Sequence, residues 1–258
     1  EFGGFIVLLN MVVSGLGGQG ILFVTRILSR VALECGYNMI GAETHGMAQR
    51  GGAVTSHLRL GPVQGSIVRR GTAHIMIALD EMEAYRNMDF LARNGKLYAN
   101  AQAGSFPMEQ AAGYLASKAV STHAVPAGNI ALGAGAPKST NLVLLGFFSA
   151  FEEPPFSLEG LRKAVSSVSP DRFREQNLEM FDEGARYGRA AWPCPEFRDR
   201  NGPCGSHLFP GSNPCNEPAT FQAVRCFFFL RDRTICQANR AKNIEIPRIC
   251  MPSRSKGR

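Results

Sequence analysis

The sequence predicts an α/β protein, a Rossmann-like three-layer sandwich whose largely parallel sheet carries helices on both faces. Three observations predict it. A continuous apolar run, Phe5–Ser14, ends in a glycine-rich turn and is followed by an apolar stripe at helical spacing. Strand-like and helix-like segments then alternate along the chain. The length of 258 residues, 45% of them hydrophobic, is enough for one sizeable core.

The first run is broken by Asn10 and falls well short of the ~20 residues needed to cross a bilayer. It also lacks the basic leader and small-residue cleavage pattern of a secretory signal, so it reads as the buried first strand of a cytoplasmic protein. After Gly15-Leu16-Gly17-Gly18-Gln19-Gly20, residues Ile21, Val24, Ile27, Leu28, Val31 and Ala32 share one helical face, and Gly36 is placed to end that helix. Asn38–Glu43 and Val54–Leu60 are expected to be strands, the latter bounded by Gly52 and Gly61-Pro62. His74–Leu79 is a further buried strand. Asp80-Glu81 then opens a helix over Met82–Leu91, closed by Gly95 before a strand at Lys96–Asn100. Pro107–Val120 reads as a helix with its proline in the first turn. Thr140–Phe151 is an apolar helix in which Gly146 marks close packing on the sheet or on another subunit. Ser157–Val168 and Ser169–Ala190 complete the pattern, with Ser169 as an N-cap ahead of Pro170 and Asp171.

The periodic pattern stops near Ala191. Of 28 Lys/Arg and 21 Asp/Glu, 11 and 5 lie from Ala190 onward, so nearly all of the +7 net charge belongs to the tail. Six of the seven cysteines, Cys194, Cys204, Cys215, Cys226, Cys236 and Cys250, are there too, and only Cys35 is in the body. Two parts follow: a folded domain over 1–191 and a Cys/Pro/Arg-rich tail over 192–258. Their spacings contain no C-x-x-C pair, which argues against zinc or iron–sulfur ligation. A disulfide module sits poorly on a cytoplasmic domain. The favoured reading of the tail is therefore disordered or aberrant sequence. With a nearly neutral body, neither nucleic acid nor membrane is an expected partner of the domain.

Gly15-x-Gly17-x-x-Gly20 lies between a strand and a helix, where such glycines let a backbone approach a phosphate at a helix N-terminus. They serve equally well as a tight turn. Dinucleotide binding also requires an acid after the second strand, and Glu43 stands 23 residues past Gly20. The chain becomes polar and glycine-rich directly afterwards, which weighs against a plain NAD site. The segment Glu43-Thr44-His45-Gly46-Met47-Ala48-Gln49-Arg50-Gly51-Gly52 gathers an acid, an imidazole, an amide and a guanidinium on a loop after the second strand. In open α/β sheets that edge binds ligands. Ligand contact and partner contact both suit it, and a merely solvated loop is the bland alternative.

Those two motifs, followed by Asn141-Leu142-Val143-Leu144-Leu145-Gly146, resemble in order and spacing the gamma-type subunit or domain of the 2-oxoacid:ferredoxin oxidoreductases. Within that family, the form from His45 to Gly52 is most similar to the small (beta) subunits of indolepyruvate ferredoxin oxidoreductases. Asn177–Gly184 resembles the family's last helix, so the likeness covers residues 6 to 189. The resemblance implies oxidative decarboxylation of a 2-oxoacid with coenzyme A to give an acyl-CoA, CO2 and reduced ferredoxin. It places thiamine diphosphate, Mg and iron–sulfur clusters in a large partner subunit and no cofactor in this chain, which is expected to be inactive alone. It implies a site facing coenzyme A or the partner, made of Gly15, Gly17, Gly18, Gln19, Gly20, Glu43, His45, Gln49, Arg50, Gly51 and Gly52. In that site the turn offers backbone N–H groups to a pyrophosphate and Arg50 offers a second phosphate contact. No residue is assigned as catalytic and none as a metal ligand. The rival readings are a free-standing NAD(P)-dependent oxidoreductase that uses Glu43 on a ribose, and an interaction protein that works through its basic tail.

Overall fold

The structure, a computed structural model, describes residues 8–45 and 51–191; the tail predicted over 192–258 lies outside the described residues. Among the described residues, six strands form one sheet: β1 (Leu9–Leu16), β2 (Met39–His45), β3 (Ala53–Leu60), β4 (Ala73–Ala78), β5 (Leu91–Asn100) and β6 (Ser121–Val125). Their spatial order is β2-β3-β1-β4-β5-β6. Pairs β1/β4, β4/β5 and β5/β6 are parallel, whereas β3 runs against both β1 and β2. The sheet is thus mixed, with five strands in one direction and β3 reversed.

Helix α1 (Ile21–Glu34) packs on one face together with α4 (Ala127–Gly133), α5 (Thr140–Ser149), α6 (Leu158–Val168) and α7 (Arg174–Ala191). Helices α2 (Glu81–Asn87) and α3 (Glu109–Ser117) cover the other. Alternation along β1 divides the two cores: Met11 and Val13 enter the first, Val12 the second. The predicted stripe Ile21, Val24, Ile27, Leu28, Val31 and Ala32 is buried throughout. Gly36, at φ +79°, ends α1 as expected: its N–H donates to Leu33 O and the next one, of Tyr37, to Ala32 O.

Several expected boundaries are corrected. Helix α2 stops at Asn87, and Gly95 lies inside β5 rather than ending a helix. Its start follows from Asp80, whose carboxylate accepts from Met82 and Glu83 N–H. Its end follows from the sheet, because Leu91 must already pair with Ala73. The surplus residues of β5 between Leu91 and Lys96 form a bulge in which Asn94 takes φ +58°. Pro107 precedes α3 instead of lying in its first turn, and Met108 is the N-cap. Ser169 is not an N-cap: it closes α6, and its hydroxyl accepts from Asn177 Nδ2 while a 3-10 turn, Asp171–Phe173, leads into α7. Neither β6 nor α4 was anticipated, since Ser121-Thr122-His123 dilutes the apolar signal of a strand only five residues long.

Gly146 packs against helix α7, not the sheet or a second subunit. A Cβ there would stand 1.9 Å from Phe181 O, and one on Gly184 would stand 1.9 Å from Val143 O. The helices therefore cross backbone to backbone, with a glycine from each at the contact. This crossing fastens α7 over Phe147 and Phe148, with its own Phe181 in the same core.

Candidate functional site

The glycine turn stands where the sequence puts it, between the carboxyl end of β1 and the first residue of α1. Gly18 at φ +98° and Gly20 at φ +79° take left-handed backbone that other residues adopt only with strain. Inside the turn, Gln19 Oε1 accepts from Leu16 N–H at 2.7 Å and Gln19 N–H donates to Leu16 O. Gln19 therefore holds the loop closed through both its side chain and its backbone. Gly15 has no room for a side chain, because Gln19 Oε1 would lie 2.7 Å from an added Cβ and Leu79 Cβ 3.0 Å. Gly18 is different: it is exposed, and no described residue lies within 4 Å of the position of a Cβ, so among the described residues its backbone is open to an approaching group.

The second motif meets the first. Gly17 N–H donates to Gly52 O at 2.8 Å, and Gly51 N–H to Gly17 O at 3.2 Å, so the β1/β3 ladder runs on into the glycine turn. Of the predicted site residues, Gly15, Gly17, Gly18, Gln19, Gly20, Gly51 and Gly52 form one patch at this sheet edge. Gln49 and Arg50 lie outside the described residues; His45 ends β2, but its side chain is not described. Glu43 is exposed on β2, and β3 separates that strand from β1. In a dinucleotide fold the acid-bearing strand is the direct neighbour of the first. Here β3 takes that neighbouring place, and Glu43 stands a further strand spacing away, about 5 Å, from a ribose bound over the glycine turn.

Two asparagines missed by the sequence reading support the same edge. Asn141, at the first turn of α5, is 6% exposed; its Nδ2 would lie 2.4 Å from a Cβ on Gly20, which fixes that position as glycine. Asn100, at the end of β5, donates to Leu79 O and accepts from Gly128 N–H, tying together the ends of β4 and β5 and the start of α4. A polar residue just where an apolar strand ends is the signal that could have found Asn100. Asn141 was quoted only as the first letter of an apolar motif.

Beside this edge, an open groove of about 560 Å³ runs between α1 and the β2/β3 pair, lined by Leu22, Arg26, Ser29, Gly41, Glu43 and Ser56 among others. Among the described residues, the buried atoms Ser14 Oγ, Ser56 Oγ and His57 Nδ1 near the β1/β3 seam find no hydrogen-bond partner. Burial pushes the His57 imidazole below its ordinary pKa, favouring the neutral ring, which meets Phe90 edge-on at 5.3 Å. Cys35 sits at the far end of α1, and burial followed by the Glu34 charge raises its thiol, the opposite of an activated nucleophile. Among the described residues no group of three or more His, Cys, Asp or Glu is arranged to hold a metal ion. No described helix is long and apolar enough to cross a membrane.

Residues 10–187 match the family model for pyruvate ferredoxin/flavodoxin oxidoreductase. The chain belongs to that family. Within the pyruvate ferredoxin/flavodoxin oxidoreductase family, it is 35% identical over 187 residues to a protein of Archaeoglobus fulgidus named indolepyruvate oxidoreductase subunit IorB, covering 68% of this chain and 93% of that one. The protein of the same name from Methanothermobacter thermautotrophicus is 33% identical over 193 residues, with coverages of 70% and 97%. In fold, the chain is similar to the gamma subunit of a keto/oxoacid ferredoxin oxidoreductase from Geobacter sulfurreducens, with TM-score 0.55, 24% identity and coverages of 70% and 99%. It is also similar to subunit PORC of the Thermotoga maritima pyruvate oxidoreductase, with TM-score 0.52, 20% identity and coverages of 69% and 96%. The resemblance drawn from the motifs is borne out, and the free-standing NAD(P) reading finds no support.

Proposed function

We propose that the chain is the small subunit of an indolepyruvate-type 2-oxoacid:ferredoxin oxidoreductase, working in a cytoplasmic hetero-oligomer. The observation that carries this reading is the match to two relatives named indolepyruvate oxidoreductase subunit IorB over 93% and 97% of their lengths. In the reaction, the 2-oxoacid loses CO2, coenzyme A takes the acyl group and two electrons pass to ferredoxin. Thiamine diphosphate, with Mg, supplies the carbanion chemistry when bound in the large partner, and iron–sulfur clusters there carry the electrons.

This chain's share is to bind and position. The bare backbone of Gly18 and the left-handed Gly20 at the start of α1 suit an anionic group such as the pyrophosphate of coenzyme A. Gln19 spends its N–H on Leu16 O inside the turn and Gly17 spends its own on Gly52 O, and both so hold the shape of the turn. The hydrogen bonds from Gly51 and to Gly52 join the second motif to this turn, which supports a single ligand- or subunit-facing surface formed by Gly15–Gly20 with Glu43, His45, Gln49, Arg50, Gly51 and Gly52. Arg50 would add a charged phosphate contact.

The deciding experiment is co-purification with candidate large subunits, followed by indolepyruvate-dependent ferredoxin reduction with and without this chain. Activity that requires the added chain supports the proposal. A folded chain that neither associates nor stimulates any candidate refutes it. Arg50→Ala is expected to raise the coenzyme A concentration needed for half-maximal rate or to weaken association; no change in either would remove Arg50 from the site.

A further inference from the structure

Helix α2 packs on the second face of the sheet, and the residues it buries are Glu83, Ala84 and Asn87. Two of those three are polar, where a helix laid on a sheet ordinarily presents aliphatic side chains. Glu83 is 1% exposed and Asn87 8%. Their polar atoms form one chain. Arg86 Nη1, on a side chain open to solvent, donates to Glu83 Oε1 at 2.9 Å. Asn87 Nδ2 donates to Glu83 O at 2.9 Å and to Glu83 Oε2 at 3.4 Å, and Asn87 Oδ1 accepts from Thr55 Oγ1 at 3.2 Å.

The chain lands on β3 just below the joined glycine motifs. Thr55 stands opposite Ser14 of β1, the residue before Gly15. Val12 enters the second core, so Ser14, two residues on, faces α2 as well. From there the ladder pairs Gly15 with Val54 and Leu16 with Ala53, and directly beyond it Gly17 N–H meets Gly52 O. Helix α2 is itself tied to the far side of the turn: Asp80 caps its first turn, and Leu79 N–H donates to Ser14 O. A strut of side chains thus runs from the end of β4, through α2, to the start of β3. Burying a carboxyl and an amide here disfavours the fold relative to aliphatic groups of similar size. What such groups add is direction, because a satisfied hydrogen-bond chain fixes distances that apolar contact leaves free to slide.

We propose that Glu83, Asn87 and Thr55 are positioning residues for the glycine surface: their chain sets β3 against β1 so that Gly51 and Gly52 meet Gly17 and hold the turn in the shape that leaves the Gly18 backbone open. They act through the turn, not by touching a ligand. The consequence for coenzyme A rests on the reading of that surface given above; the positioning itself does not.

The test is Thr55→Val in the full chain, which keeps the β-branched shape and deletes the hydroxyl. Hydrogen exchange at the Gly17 and Gly51 amides is expected to quicken about fivefold, the weight of one lost hydrogen bond, while amides of the β4/β5 ladder keep the parent's rates. Thr55→Ser, which retains the hydroxyl, should exchange as the parent does. Asn87→Leu removes the other end of the same bond and should loosen the same two amides, and the two effects should not multiply in the double variant. Ser14→Ala is the control at the same level of the seam: Ser14 Oγ finds no partner among the described residues, so its loss should leave both amides unchanged. Parent rates at Gly17 and Gly51 in Thr55→Val overturn the proposal. So does equal acceleration of every core amide, which is plain loss of stability, or equal loosening by Ser14→Ala. In the complex with a large subunit, Thr55→Val should raise the KM for coenzyme A about fivefold with kcat unchanged. Local loosening without that rise supports the positioning and removes coenzyme A from this surface.

Discussion

Gly146→Ala tests the α5/α7 crossing directly. The new methyl would lie 1.9 Å from Phe181 O and 2.8 Å from Phe181 C. Real Cβ contacts do not go below 3.0 Å, so the two helix backbones must separate by at least about 1.1 Å. The obstacle is backbone, which cannot rotate away as a side chain could. Separation loosens the packing of Phe147, Phe148, Met180 and Phe181, all at most 2% exposed. Overpacking of this kind costs about 3 kcal/mol, at the upper end of its usual range. The gain in helix propensity from glycine to alanine returns about 1 kcal/mol. A net loss of about 2 kcal/mol lowers the melting temperature of a domain this size by about 4–8 °C. Thermal and urea unfolding followed by circular dichroism measure it. The paired control is Gly113→Ala in α3, where nothing lies within 4 Å of the added methyl. There the propensity term stands alone, and the variant should gain about 0.5–1 kcal/mol. If Gly146→Ala proves as stable as the parent, the helices do not cross this closely and the reasoning fails.

Three further predictions rest on other contacts. Asp80→Ala removes the acceptor for Met82 and Glu83 N–H and should cost about 1 kcal/mol, read as a lower urea midpoint. Tyr98→Phe deletes the hydroxyl that donates to Glu153 Oε1 at 2.9 Å while keeping the ring against Phe148 and Phe151; it should cost about 1 kcal/mol in the same assay, and a neutral result would mean that the hydrogen bond adds nothing. His57, 4% exposed, has its pKa lowered by burial, so the unfolded chain binds a proton more readily than the fold does. Its contribution is intact above the unfolded value of about 6.5 and is lost as pH falls from there toward the folded value. The urea midpoint of the parent should therefore drop between about pH 7.5 and 5.5, and His57→Leu should flatten that slope; an equal slope in the variant assigns the effect elsewhere.

The order of the elements was legible because local chemistry states it. The apolar stripe of α1, the glycine pair that opens and closes it, and the acid at Asp80 each act within a few residues of chain. Coupling between distant segments was not legible in this way. Nothing near Val54 says that β3 should insert between β1 and β2 and run in reverse; this order follows from which edge of β1 remains once β4 has taken the other. The end of α2 and the place of Gly95 were misread because pairing of Leu91 with Ala73, some eighteen residues upstream, overrides local helix preference. Gly146 was recognised as a contact point, but its partner was assigned wrongly because Gly184 lies in a different helix and only the crossing brings the two together.

The sequence by itself determined the family, the two motif segments and the carboxyl edge on which they lie, because glycine spacing and apolar period are local properties that survive divergence. Tertiary structure alone decided that Gly17 and Gly52 are hydrogen-bonded neighbours, that Glu43 stands a strand too far for a ribose, that Asn141 packs against Gly20 of the turn, and that Asn100 ties the ends of β4 and β5 to α4. These are relations between residues separated by tens of positions, and their geometry exists only after the sheet order and the helix crossings are set by burial of both apolar faces at once.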